Sequence, residues 1–354
     1  MKKILVIQQK RIGDVLTSTI LCNNLKVEYP EAQIDFMCYS NCVDVLKNNP
    51  NISNIIVLEE KVRKNYLTLF QFILKIRKAK YDAIIDVYSK LESNLISFFS
   101  GSKIKISYKK GYSDMFYNNN IERIKGGTKT EIGLAIINRL RLLKPLIKEE
   151  IVDFKPKIYL TDSEIHSAKK LLSTFSLKKD KPLFMIGVLG SEWYKTYPIN
   201  KMAELIDYVV EQTDANILFN YIPNQIEEVK KIYNLCKFDT QNRIYFNLYA
   251  KDLRSFLGLL SQCNALIGNE GGAVNMAKAL NIPTFSLFSP SVDKESWQIF
   301  EDEKNVSIHL KDLKPEIYAH NNNKYIKENT FKYFEEYPID LIKIKLNEFL
   351  KVIS

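Results

Sequence analysis

Ile4-Leu5-Val6-Ile7-Gln8-Gln9-Lys10-Arg11-Ile12-Gly13-Asp14 decides how the rest of the chain is read. Four apolar residues, a polar turn and the first residues of a helical pattern describe a buried strand that runs into a helix. Working outward, the same unit recurs. Strand-like runs lie at 34–38, 55–58, 83–87 and 104–107, and helical patterns lie at 14–27, 42–48, 66–79 and 92–99. Strand–helix alternation of this kind predicts a parallel sheet with helices on both faces. The stretch 109–128, rich in Tyr, Asn and Gly, reads as a long loop. A helix at 131–143, Pro145 and a connecting segment at 148–157 follow. The alternation then restarts, with strands at 183–188, 216–220, 243–248, 265–268 and 284–287 and helices between them, at 201–211 and 225–236 among others.

The expected fold class is therefore α/β, two doubly wound halves. Residues 1–155 form the first domain and 156–335 the second. The amphipathic stretch within 336–354 is expected to pack back on the first domain. In such sheets ligands bind outside the carboxyl ends of the strands, where helix N-termini converge.

The 354 residues carry a net charge of +10, unevenly spread. Residues 1–150 hold 25 Lys+Arg against 15 Asp+Glu, and residues 151–354 hold 26 of each, so the whole excess lies in the first part. A solvated basic surface satisfies this, and so does a face that meets a polyanion such as phosphorylated lipid, a membrane or nucleic acid. No nucleic-acid module is recognisable, and the basic residues are not interleaved with stacking aromatics. The stretch 66–79, which ends in Lys75, Arg77 and Lys78, suits a membrane surface or a core helix whose cations complement its C-terminus. No apolar run approaches the ~20 residues that span a bilayer, and the first strand is too short for a signal-peptide core. Five cysteines, an odd number without CxxC spacing, read as reduced thiols in a cytoplasmic protein.

Three stretches carry candidate chemistry. The first turn lacks a GxGxxG fingerprint, which argues against NAD or FAD, but it ends in the carboxylate of Asp14. An aspartate there serves as a helix N-cap or as a group facing a ligand. At 267–280 a buried strand meets Glu270, Gly271 and Gly272 and then a helix containing Asn275, a geometry suited to a diphosphate at a helix N-terminus. At 187–198 a glycine-containing loop brings Lys195 and Thr196, and the lysine suits a departing phosphate. There is no DxD pair in a plausible loop, and the histidines (His166, His309, His320) are scattered, so neither a metal nor a cofactor is expected.

Together these stretches resemble glycosyltransferase family 9, the heptosyltransferases of lipopolysaccharide inner-core assembly. That family has an R-x-G-D turn after its first strand, here Arg11-Ile12-Gly13-Asp14. Its K-x-W-P element looks like Lys195-Thr196-Tyr197-Pro198. Its hallmark G-N-D-[ST]-G-P-x-H-x-A-x-A-L-x-x-P-T-x-x-L-F is similar to Gly268 through Phe288. The stretch 81–86 looks like the family's fourth strand. The departures are Glu270 for the hallmark Asp, Gly271 for Ser/Thr, Ala273 for Pro, Asn275 for His and Tyr197 for Trp.

The resemblance implies a GT-B fold, two Rossmann-like domains facing a central cleft, with the acceptor bound by the first and the nucleotide-sugar by the second. It implies an inverting, metal-independent transferase with Asp14 as catalytic base. Lys195, Thr196, Glu270, Gly271, Gly272 and Asn275 would then hold the donor, most simply ADP-heptose. The acceptor would be a phosphorylated lipid A-core oligosaccharide held by Arg11, Arg63, Lys64, Arg123 and Lys125, with peripheral contact at the inner membrane and no nucleic acid. The departures keep open a transferase for another nucleotide-hexose. The basic charge keeps open a non-catalytic nucleotide- or nucleic-acid-binding protein.

Overall fold

The computed structural model describes residues 1–126, 130–148 and 151–353. The chain divides into two compact units, Met1–Tyr159 and Leu160–Ser354.

The first unit is built on β1 (Lys3–Ile7), β2 (Gln33–Cys38), β3 (Asn54–Val57), β4 (Ala83–Asp86), β5 (Ile104–Tyr108) and β6 (Asn119–Ile121). All neighbours run parallel in the order β3-β2-β1-β4-β5-β6, with Ile4 beside Ile34 on one side and Ala83 on the other. This is the Rossmann order, and it reverses direction of growth between β1 and β4. Leu5, Ile7, Met37 and Ile84 of the sheet share a core with Leu69, Ile73 and Ile76 of helix Tyr66–Lys78 and with Ile96. Helix Ile12–Glu28 is buried at Gly13 and from Val15 to Leu25, with Asp14 half-buried between them, and helix Leu134–Arg141 packs on it.

The second unit is built on β7 (Leu183–Gly187), β8 (Asn216–Asn220), β9 (Ala265–Asn269), β10 (Thr284–Leu287) and β11 (Asn305–Ile308). These are again all parallel, in the order β11-β10-β9-β7-β8. Read from β8, this is the other common doubly wound order, 2-1-3-4-5. Phe184, Ile186, Ile217, Ile267, Phe285 and Leu287 pack under Met202, Ile206 and Val209 of helix Ile199–Thr213.

The last helix, Ile339–Ile353, belongs to the second unit. Its buried face, Ile342, Leu346, Phe349 and Leu350, belongs to the second unit's core, with Phe349 against Phe285 and Lys343 Nζ 2.6 Å from Glu204 Oε1. The run 243–248 is no strand: Ile244 alone bridges to Ile217, and the chain turns away where Leu248 N–H donates to Tyr245 O. The stretch 42–48 forms only a tight 3-10 turn, Ser40–Val45, closed by Asn48 at φ 63°. The 109–128 loop contains β6 and the turn Asp114–Phe116; Gly127 and Thr128, like Glu149 and Glu150 of the connecting segment, lie outside the described residues. Among the described residues no helix is long and apolar enough to cross a membrane.

Candidate functional site

At the carboxyl end of β1 the chain turns through Gln8, Gln9 and Lys10 into helix Ile12–Glu28. Arg11 takes the N-cap position, so Asp14 is not the cap; it stands inside the first turn. What holds it is a residue the sequence reading missed. Arg139, 125 positions away, extends from helix Leu134–Arg141 and places Nη2 2.6 Å from Asp14 Oδ1. Its Nε donates to Ser18 Oγ at 3.0 Å and its Nη1 to Ala135 O at 2.8 Å. Ser18 Oγ donates in turn to Asp14 O at 2.7 Å. The guanidinium is nearly buried (8% exposed), whereas the carboxylate keeps 26% exposure. A carboxylate fixed on one oxygen by a buried cation, yet open to solvent, has the form of an oriented base.

The candidate cations divide. Arg63 stacks on the Tyr39 ring at 4.4 Å, and Tyr39 donates to Gln9 Oε1, which ties this cation to the end of β1. Arg123 lies 3.8 Å from the ring centre of Tyr108, the last residue of β5. Burial pushes the Tyr108 hydroxyl up, Arg139 and Arg123 pull it back and Asp14 pushes it further. Lys64 is spent in a surface pair with Glu60 at 2.8 Å. Arg11 and Lys125 are exposed.

Beside this group, Asp86 ends β4 fully buried. It accepts from Tyr117 OH at 2.7 Å and Ser89 N–H at 2.8 Å, and burial raises its carboxyl. Lys110 donates to Ser89 O at 2.9 Å, and its ammonium is pushed down to about 8, by burial first and by Arg123 second. The sequence marks Asp86 only as the end of the 81–86 strand, and Lys110 not at all.

In the second unit the neighbouring strands β7 and β9 end side by side, Gly187 opposite Gly268, which makes neighbours of the loops that follow them. Asn269 joins the loops: Nδ2 donates to Gly187 O at 2.9 Å and Oδ1 accepts from Tyr197 N–H at 2.7 Å. Glu270 N–H donates to Leu287 O, pinning the backbone and turning the side chain toward Lys195, whose Nζ lies 2.8 Å from Oε1. Both ends of the pair are largely shielded from solvent, the lysine side chain 18% and the glutamate side chain 9% exposed.

Thr196 accepts from Gly190 N–H at 3.1 Å and donates to Glu192 O at 3.2 Å; it shapes the loop. Gly190 is required here, because a Cβ would sit 2.4 Å from Lys195 O. Tyr197 is buried among Phe334 and Tyr337. Gly271, at φ 156°, leads into helix Gly272–Ala279, and the space above Gly271 and Gly272 is open. An open helix N-terminus with a lysine at its side is a place for an anion. Asn275 is half-buried on that helix's first turn. Among the described residues no group of three or more His, Cys, Asp or Glu is gathered as a metal would need.

Two Rossmann-like domains in tandem make up the GT-B fold, the fold of the solved structures this chain is similar to. The family model of glycosyltransferase family 9 (heptosyltransferase) matches residues 69–326, and the chain belongs to that family. It is 25% identical over 295 residues to lipopolysaccharide heptosyltransferase 1 of Campylobacter coli, covering 81% of this chain and 83% of that protein. It is 24% identical over 320 residues to lipopolysaccharide heptosyltransferase 2 of Escherichia coli strain K12, covering 82% and 83%. Among solved structures it is similar to the family 9 glycosyltransferase from Veillonella parvula (TM-score 0.74, 17% identity, 95% of this chain and 96% of that one). It is also similar to E. coli ADP-heptose lps heptosyltransferase II (TM-score 0.68, 18% identity, 95% and 99%).

Proposed function

We propose that the enzyme moves heptose from ADP-heptose onto a phosphorylated lipopolysaccharide core acceptor, with inversion and without a metal ion, on the cytoplasmic side of the membrane. The observation that carries this reading is the Asp14–Arg139 pair, a fixed, partly open carboxylate at the carboxyl end of β1. Asp14 takes the proton of the acceptor hydroxyl as its oxygen bonds to the anomeric carbon and the bond to the diphosphate breaks. General-base help of this kind is worth about 10²–10⁴ in rate. The leaving diphosphate gains charge, which Lys195 and the N–H groups at Gly272 receive. Arg63 and Arg123, stacked on rings near the end of β1 and at the end of β5, suit the acceptor's phosphates. Names of relatives that act on lipopolysaccharide support the acceptor class. The altered hallmark residues, Glu270 and Asn275, favour as a second reading the same transfer from another nucleotide-sugar.

A panel of ADP-, UDP- and GDP-sugars assayed with purified enzyme separates the two readings by which donor is consumed. Asp14→Asn is expected to lose turnover and keep donor affinity. Turnover undiminished in that variant would remove Asp14 from the role.

A further inference from the structure

Helix Tyr66–Lys78 has two apolar lines, and the fold uses only one. Leu69, Ile73 and Ile76 enter the first unit's core. On the other side Tyr66 (89% exposed), Leu67 (75%), Phe70 (57%) and Leu74 face solvent. Positions 67, 70 and 74 fall on one helical line and Tyr66 lies one turn from Phe70, so the four form a stripe, not scattered exposures. Between residues 61 and 80 stand seven Lys or Arg and no Asp or Glu. Lys75, Arg77 and Lys78 end the helix, and Lys61 and Lys64 precede it. At its C-terminal end lies a groove lined by Lys2, Arg77, Lys80 and Lys103, in which the carboxylate, Asp82, is occupied by the N–H groups of Lys2 and Lys3. The packed neighbour, helix Leu91–Phe99, adds exposed Phe98 and Phe99. Arg77 donates to Phe99 O, and Lys105 lies 5.5 Å from the Phe98 ring centre.

We infer that this face docks on a bilayer surface bearing anionic lipid, with Tyr66, Leu67, Phe70 and Leu74 entering the headgroup boundary and the flanking cations meeting lipid phosphates. An exposed apolar line with basic residues at both ends is what an interfacial helix presents. The charge rejects a second copy as occupant, since a two-fold contact sets the patch against itself and brings Lys75, Arg77, Lys78 and Lys80 against the same cations of the other copy. The surface gives the lipid-linked acceptor of the proposed reaction a place to be met. It rests on that reading for its purpose alone, because lipid binding is measured with neither donor nor acceptor present.

The test is cosedimentation of the full chain with vesicles of phosphatidylcholine alone and with about 30% phosphatidylglycerol, at low and high salt. Expected are binding to the anionic vesicles, weakening as salt rises, and at least tenfold weaker binding for both Leu67→Glu/Phe70→Glu and Lys75→Glu/Lys78→Glu. All four side chains are exposed, and unchanged circular dichroism and melting establish that the variants fold. Wild-type protein that ignores anionic vesicles overturns the proposal, as does a folded Leu67→Glu/Phe70→Glu protein that binds them fully. A change of oligomeric state by light scattering in that variant, with vesicle binding intact, assigns the face to another protein copy and also overturns it.

Discussion

Replacing Arg139 by alanine should slow the chemical step without altering donor binding. The guanidinium makes three contacts at once, to Asp14 Oδ1, Ser18 Oγ and Ala135 O, so its removal frees the carboxylate to rotate and leaves Ser18 without its clamp. A charge-assisted hydrogen bond is worth about 1.5–3 kcal/mol, and a base displaced by about 1 Å can cost about 10² in rate. We therefore expect kcat to fall about 10–100-fold, or about 1.4–2.7 kcal/mol of activation energy, which is less than the loss from Asp14→Asn. Arg139→Lys, which keeps the charge but not the fork, should fall between wild type and alanine. The assay is steady-state transfer with ADP release as readout, alongside isothermal titration of ADP. An Arg139→Ala enzyme that is folded and turns over at the wild-type rate would refute the reasoning. So would one whose ADP affinity falls in step with kcat, because a merely structural role would produce that pattern.

The remaining predictions concern the second unit. Glu270→Gln removes the anion beside Lys195 and should tighten ADP binding about fivefold, the ~1 kcal/mol of one unit charge at 4 Å in a watery medium; calorimetry that shows equal or weaker binding contradicts this. Gly190→Ala places a methyl 2.4 Å from Lys195 O and so displaces the loop; it should cost about 1–3 kcal/mol of stability and at least tenfold in ADP affinity, and unchanged affinity would detach this loop from the diphosphate. His309 is buried, accepts from Lys311 N–H at Nδ1 and faces Val292 O with Nε2, and its imidazole is pushed down to about 4, chiefly by burial. Because the unfolded histidine takes up a proton near its ordinary 6.5 and the folded one does not, the stability held above pH 6.5 should be lost as pH falls toward 4, by about 3 kcal/mol. Urea unfolding across this range should show the loss in wild type and its reduction in His309→Asn.

The parts of the fold legible in sequence are those written locally. Short apolar runs bounded by turn residues, such as Ile4–Ile7 within β1, read as buried strands, and their alternation with helices points to parallel pairing. Polar edges hid from this reading: Asn119 and Asn120 make up most of β6, and β11 begins at Asn305 behind a charged tetrad at 301–304. Alternation misled at 243–248, where the chain leaves the edge of β8 after one bridge. The last helix showed that it had an apolar face but not which core would receive it. Local signals pointed to Asp14, Lys195 and Glu270 because glycines and strand ends mark such loops. They missed Arg139, which by itself is one more cation in a helix's last turn and gains its meaning from a partner 125 residues distant.

The placement of helix Ile339–Ile353 sets an order on biosynthesis. All strands of the first sheet have been made once Ile121 has left the ribosome, so that layer can assemble while translation continues. The second sheet is complete at Ile308, yet Phe285 still lacks its lid until Phe349 emerges. Until then the nascent half exposes an oily surface that chaperones are suited to cover.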